Sequence, residues 1–235
     1  MSEPPRERYE VRRARGVEPS MEPDPRHLPP GWEDAAEGRV ERCAAAHSLF
    51  FPDMRFRVLW DEACLYVRMV LHDRWVRSVV TAPQGPVCTD SCCEFFVRPA
   101  GSAGYFNFET NAGGCLLLAH VTDPRRLPGG GLAAAEPVGA DWLERLEIHH
   151  SLPRVVDPEI SAPTDWCICY AIPLEMLEQY AGVPCRPEPG AVWRGNFQCC
   201  ADATSHPRYC YWADFGPGEP NFHQPDKFGD LVFTA

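Results

Sequence analysis

The sequence predicts an all-β fold, an antiparallel two-layer sandwich with one short helix and long loops, and three observations lead there. Apolar and polar residues alternate over repeated runs of roughly four to eight residues, the period of a half-buried strand. Among 235 residues, 25 prolines and 18 glycines interrupt those runs, which favours turns over long helices. Hydrophobic residues at 45% and charged residues at 23% suffice for a single large core.

The first thirty residues hold seven prolines (4, 5, 19, 23, 25, 29 and 30), six arginines and six acidic residues, with few large apolar side chains between them. That composition predicts a tail or strap over 1–30, followed by one domain over 31–235. Within the tail, Tyr9-Glu10-Val11-Arg12-Arg13 alternates and predicts an edge strand. Phe56 to Trp60 and Cys64 to Leu71, parted by polar Asp61-Glu62-Ala63, predict a β-hairpin. Further strands are expected at Cys92 to Val97, Tyr105 to Thr110, Cys115 to Ala119, Glu144 to His150, Trp166 to Ile172, Val192 to Cys200, Tyr209 to Trp212 and Leu231 to Phe233. The helix is expected from Pro173 to Tyr180, with proline at the first helical position and Leu177 and Tyr180 at helical spacing. Pro128-Gly129-Gly130-Gly131 lacks the Lys-Ser or Lys-Thr of a phosphate-binding loop and reads as a flexible connection.

Composition also excludes function classes. A net charge of −11 argues against a nucleic-acid partner, because phosphate binding relies on clustered Lys and Arg. The polar stretch Met1 to Glu10 does not read as a signal peptide, and no run approaches the ~20 apolar residues of a membrane span, so no membrane partner and a cytoplasmic location are expected. In that reducing setting the twelve cysteines read as free, mostly buried thiols. Cys92-Cys93, Cys199-Cys200 and the spaced Cys167 and Cys169 match no zinc-chelating Cys-x-x-Cys pattern. Histidines 27, 47, 72, 120, 149, 150, 206 and 223 are scattered, and no Gly-x-Ser-x-Gly turn occurs. Oligomeric state has no signature in the sequence.

Strand alternation sorts two successive strands into faces. Cys93, Phe95 and Val97 share one face; Glu94 and Arg98 share the other with Cys92 and Phe96. In the next strand Phe106 and Phe108 oppose Tyr105, Asn107, Glu109 and Asn111. If the strands pair, Glu94, Arg98, Asn107 and Glu109 gather among aromatic rings. Carboxylate, guanidinium and amide groups match the close-spaced hydroxyls of a sugar, whose C–H faces pack on aromatic rings. The same set also fits a solvated outer face. A glycosidase pair of carboxyls needs a set separation across the cleaved bond, and paired strand carboxyls more often hold ligand, so catalysis is not expected.

Several segments resemble the family 9 carbohydrate-binding modules, especially a stand-alone bacterial subgroup, from about Trp32 to the C-terminus. The matching pieces are Leu65-Tyr66-Val67 after Trp60-Asp61, Pro86 to Phe96, Tyr105-Phe106-Asn107-Phe108-Glu109-Thr110-Asn111, Trp166 and Ile172-Pro173, in family order. The C-terminal match comprises Asn196-Phe197, Thr204-Ser205-His206-Pro207, Tyr211-Trp212, Asn221-Phe222-His223 and Lys227-Phe228-Gly229. The resemblance implies a sandwich with the two-sheet architecture of DOMON-type and immunoglobulin-like domains, and a sugar or glycoside ligand bound without catalysis. It carries Glu94 onto the acidic residue of the Asp-Ser-x-x-Glu segment, and Asn107 and Glu109 onto the polar side of the next strand. A stacking aromatic is implied near the C-terminus, at Trp212 or Phe222 with His223 beside them. Where the family often has a clamp tryptophan before Asp-Ser, this chain has Cys88. The family implies no cofactor beyond structural calcium, whose ligands the resemblance does not place. Two alternatives stand beside sugar binding: a haem or redox module, for which Met54 and Met69 lack a motif-level histidine partner, and a protein-interaction module that has lost its sugar.

Overall fold

The structure is a computed structural model that describes residues 6–16, 18–216 and 220–235. The chain runs through β1 (Arg8–Arg13), β2 (Gly38–Val40), β3 (Arg42–Cys43), β4 (Asp53–Trp60), β5 (Cys64–Asp73) and β6 (Val76–Ser78). It continues with β7 (Cys92–Arg98), β8 (Tyr105–Asn111), β9 (Leu116–Arg126), β10 (Leu132–Pro137) and the helix α1 (Ala140–Arg145). The last part holds β11 (His149–His150), β12 (Val156–Ile160), β13 (Thr164–Pro173), α2 (Leu174–Ala181), β14 (Val192–Cys200), β15 (Tyr209–Tyr211) and β16 (Gly229–Thr234).

One ladder runs β10-β9-β8-β7-β14-β16-β1-β4-β5-β13-β11 and curls into a β-sandwich whose two halves face each other. Alternation sets what each half turns inward. Phe95, Phe108 and Phe197 come from β7, β8 and β14, and Phe56 and Tyr170 from β4 and β13. Phe56 stacks on Phe197 with ring centroids 3.6 Å apart, Phe95 on Phe197 at 4.5 Å, and Phe108 on Tyr170 at 5.8 Å. Each such ring, fully buried, contributes roughly 1.5–3 kcal/mol over the same ring left in water. Gly38, paired opposite Phe56 on the neighbouring β2, leaves room for that ring, since a Cβ there would lie 2.1 Å from it.

The predicted β4–β5 hairpin is present, its turn held by Asp61 Oδ1, which accepts the N–H groups of Ala63 and Cys64 at 2.8 Å each. The expected helix is α2, one residue later than predicted: Pro173 is its N-cap, and Gly182 ends it in the left-handed conformation at φ 65°. Two expectations are corrected. The stretch Glu144 to His150 is not one strand, because Trp142 and Leu146 bury together at a spacing of four, the helical period, and only His149–His150 pairs with β13. Tyr9 to Arg13 is not an edge strand: β1 lies inside the ladder, parallel to both β16 and β4. Tyr9 and Val11 bury into the core on one side of that strand, which favours an interior position.

The rest of the N-terminal segment is hydrogen-bonded to itself and to Arg68 of β5. Ser20 N–H bonds Pro30 O at 3.0 Å, the Trp32 indole N–H donates to Ser20 O at 2.8 Å, and the buried Arg68 guanidinium donates to the carbonyls of Glu22, Asp24 and His27. Met1 to Pro5 and Val17 lie outside the described residues. Among the described residues no helix is long and apolar enough to cross a membrane.

Candidate functional site

The outer face of β7, β8, β9 and β14 carries a cleft of about 540 Å³. Its floor follows from alternation: with Phe95, Phe108 and Phe197 turned into the core, Glu94, Asn107, Glu109 and Cys200 must point the other way. The long β9–β10 hairpin, which the sequence reading stopped at Ala119, raises one wall with Arg126 and Leu132. Cys88, Asp202, Tyr209, Phe222 and His223 complete the lining.

Glu94 and Glu109 are direct cross-strand partners. Asn107 donates its Nδ2 to Glu109 Oε1 at 2.8 Å and accepts the Ala119 N–H on its Oδ1 at 2.8 Å, which fixes the amide. The Gln198 amide donates to Glu94 Oε2 at 3.2 Å and the Cys200 thiol to Glu94 Oε1 at 3.1 Å. Burial, then the charge of Glu109, holds Glu94 well above the usual carboxylate range. Burial pushes Glu109 up to about 7, opposed by the Asn107 hydrogen bond and the Arg126 charge. Near neutral pH the pair therefore retains a proton, giving one neutral carboxyl that can donate and one carboxylate that accepts.

His223 is held neutral. Burial, then the nearby charge of Arg126, pushes it down to about 3, and its Nδ1 shares a 2.6 Å hydrogen bond with the Tyr105 hydroxyl. Tyr209 hydrogen-bonds Asp202 and packs edge-on to Phe222 with centroids 6.1 Å apart. Two aromatic side chains thus stand over a floor of buried polar groups.

The structure brings together Glu94, Asn107, Glu109, Phe222 and His223. Arg98 is corrected: at the far end of β7 it lies outside the cleft, its Nε donating to Ser102 O at 3.1 Å. Trp212 is corrected too. It packs edge-on to Phe56 at 5.7 Å and to Phe197 at 6.3 Å inside the core, because Cys210 and Trp212 share the inward parity while Tyr209 and Tyr211 point outward. Tyr209, Arg126 and Asp202 went unrecognised in the sequence. For Tyr209 the signal was this same parity, readable once one face of β15 is known to be core. Met54 and Met69, the haem candidates, are fully buried within the core.

Among the described residues, Cys92, Glu94 and Cys200 form a group whose donor atoms lie within 4.8 Å of one another. Two thiols and one carboxylate suit a zinc-like cation rather than calcium, which takes oxygen ligands.

A sandwich with polar groups fixed in the floor of a concave sheet face and aromatic side chains over it defines a ligand-holding module. The chain belongs to Carbohydrate-binding family 9, whose sequence profile matches residues 33–233. A comparison with curated proteins gives no match. Among solved structures, a carbohydrate-binding candidate from Bacteroides uniformis ATCC 8492 shares the fold with TM-score 0.81 at 22% identity, over 97% of this chain and 99% of that one. A family 9 module from Caldicellulosiruptor kristjanssonii in complex with cellotriose is similar at TM-score 0.60 and 15% identity, over 97% of this chain and 94% of that one. In complex with glucose, a family 9 module from the same organism gives TM-score 0.60 at 14% identity, covering 97% and 96%.

Proposed function

We propose that this protein binds a small sugar, or the end of a sugar chain, in the cleft above Glu94, Asn107 and Glu109, and does not cleave it. The observation that carries this reading is the floor itself: a buried Glu–Glu–Asn set with fixed donors and acceptors, beneath the rings of Tyr209 and Phe222. A protonated carboxyl, a carboxylate and an oriented amide supply both halves of the hydrogen bonds that vicinal hydroxyls make. The cleft volume lies within the range of roughly 300–1,000 Å³ usual for small-molecule sites. The C. kristjanssonii modules, which hold cellotriose and glucose on the same fold, support it.

Cleavage is not part of the proposal. Glu94 and Glu109 lie side by side on the floor as direct cross-strand partners, whereas a glycosidase pair flanks the scissile bond. With Cys88 in place of a tryptophan, stacking falls to Tyr209 and Phe222 on one side.

Calorimetric titration of the reduced protein with a panel of mono- and disaccharides, with and without calcium, tests the reading. Saturable binding that Asn107→Ala weakens at least tenfold is expected, with the ligand recovered intact. Absence of heat across the panel would sink it.

A further inference from the structure

Cysteines form a lateral row across four strands outside the cleft. Cys93 on β7 is opposite Cys199 on β14, Cys199 is opposite Cys210 on β15, and Cys210 is opposite Cys43 on β3. The first three are fully buried; Cys43, at the end of the row, reaches solvent. Free thiols so aligned are poised to react with one another wherever one end can be oxidised.

Backbone parity distinguishes the pairs. The Ala44 N–H bonds Tyr209 O at 2.9 Å, so Tyr209 turns its backbone groups toward β3. Cys210, the next residue, must turn its own toward β14, and the Trp212 N–H to Phe197 O bond of 2.9 Å shows the same direction two residues on. Cys43 and Cys210 are therefore a non-hydrogen-bonded pair, the closer of the two antiparallel kinds, with Cα atoms about 4.5 Å apart. That separation falls within the roughly 4.4–6.8 Å that a disulfide bridges, so the bond needs no strand movement.

Three cysteines reach solvent, and their surroundings rank them. Cys43 accepts hydrogen bonds from the Cys210 thiol and Ser48, which, against partial burial, hold it down to about 6. Cys64 is pushed up to about 11 by burial and the Asp61 charge, and Cys88 up to about 12 by burial and the Asp202 charge. At neutral pH Cys43 is the exposed thiolate of the three, and the thiolate is the nucleophile.

We propose that Cys43 and Cys210 are a redox-reactive dithiol that takes a hydroperoxide as oxidant and closes into a disulfide. The Cys43 sulfur attacks a peroxide oxygen; an S–O bond forms, the O–O bond breaks, and hydroxide or alkoxide leaves. Sulfur is oxidised by two electrons and the peroxide is reduced by two. Cys210 then attacks the sulfenic sulfur; the S–S bond forms, the S–O bond breaks, and hydroxide leaves with the Cys210 proton as water. A thiol reductant reverses the bond by exchange. The closed disulfide staples β3 to β15, the strand whose Tyr209 lines the cleft. The proposal does not depend on the identity of the cleft's ligand.

Treat the reduced full chain with one equivalent of hydrogen peroxide at pH 7, alkylate, and map peptides by mass spectrometry without reduction. A peptide pair joined through Cys43 and Cys210, reopened by dithiothreitol, is the expected product, and Cys210→Ser should instead accumulate a Cys43 sulfenic acid that dimedone traps. Before oxidation, limited iodoacetamide should label Cys43 at least tenfold faster than Cys64 or Cys88. Cys43 left as a free thiol, oxidised past sulfenic acid with Cys210 untouched, or crossed to another cysteine would overturn the proposal.

Discussion

Glu94 and Glu109 oppose each other across β7 and β8 with both carboxyls buried in the floor of one cleft, an arrangement that costs stability and that the fold nonetheless maintains. Their pKa values are raised by burial and, for Glu94, by its partner's charge, so the native state holds more protons than the unfolded chain above the ordinary glutamate range. Stability then falls as pH rises from about 4.5 through 7. Glu94→Gln removes the paired charge and should raise the melting temperature, with a gain that widens from pH 5 to pH 8. Thermal melts across that range check this; a variant less stable than the parent at pH 8 would refute it. The same substitution should weaken ligand binding, the usual cost of a site under strain.

Trp212 and Tyr209 separate folding from binding. Trp212→Ala opens a cavity among Phe56, Phe197 and Tyr9 and should cost about 3–5 kcal/mol in urea unfolding. Tyr209→Ala, at the half-buried rim, should leave the unfolding midpoint near the parent's and weaken sugar binding by about tenfold, the magnitude of one lost aromatic contact. If the two variants exchanged these effects, the facing of β15 would be wrong.

Arg208 and Asp73 form an ion pair at 2.6 Å with both side chains fully buried, and the Trp166 indole N–H adds a third partner at 3.0 Å. Burial raises Asp73 despite the opposing Arg208 charge, so neither group tolerates isolation. Arg208→Leu should cost about 3–5 kcal/mol, because it leaves a buried carboxyl without its cation. Adding Asp73→Asn should recover much of that loss; a double variant no better than the single one would contradict the argument.

His223 dictates an acid limit. Its folded-state pKa lies near 3, below the ordinary histidine value, so the unfolded chain binds the extra proton first and stability declines as pH drops through about 6.5. His223→Gln should make the acid limb of the stability curve shallower between pH 6.5 and 4, read by denaturant midpoints at each pH. An unchanged slope would assign the acid limit to other groups.

The sequence by itself determined the sandwich and most of the cleft floor. Alternation needs only neighbouring residues, so it set Glu94 opposite Phe95 in one strand and Asn107 and Glu109 opposite Phe108 in the next, and the three share a face once those strands pair. It could not say which aromatics join them. Tyr209 opens β15 and Trp212 follows its last residue, three positions on, so the two point opposite ways, and only the layer beneath decides which of them is core. Arg98 shares parity with Glu94 yet lies beyond the cleft, because parity fixes a face and says nothing of position along it. The strand β1 read as an edge because its partners, β16 and β4, lie far away in the chain. The row from Cys93 to Cys43 was equally invisible, since lateral register across four strands is set by long-range pairing energies that no local pattern encodes.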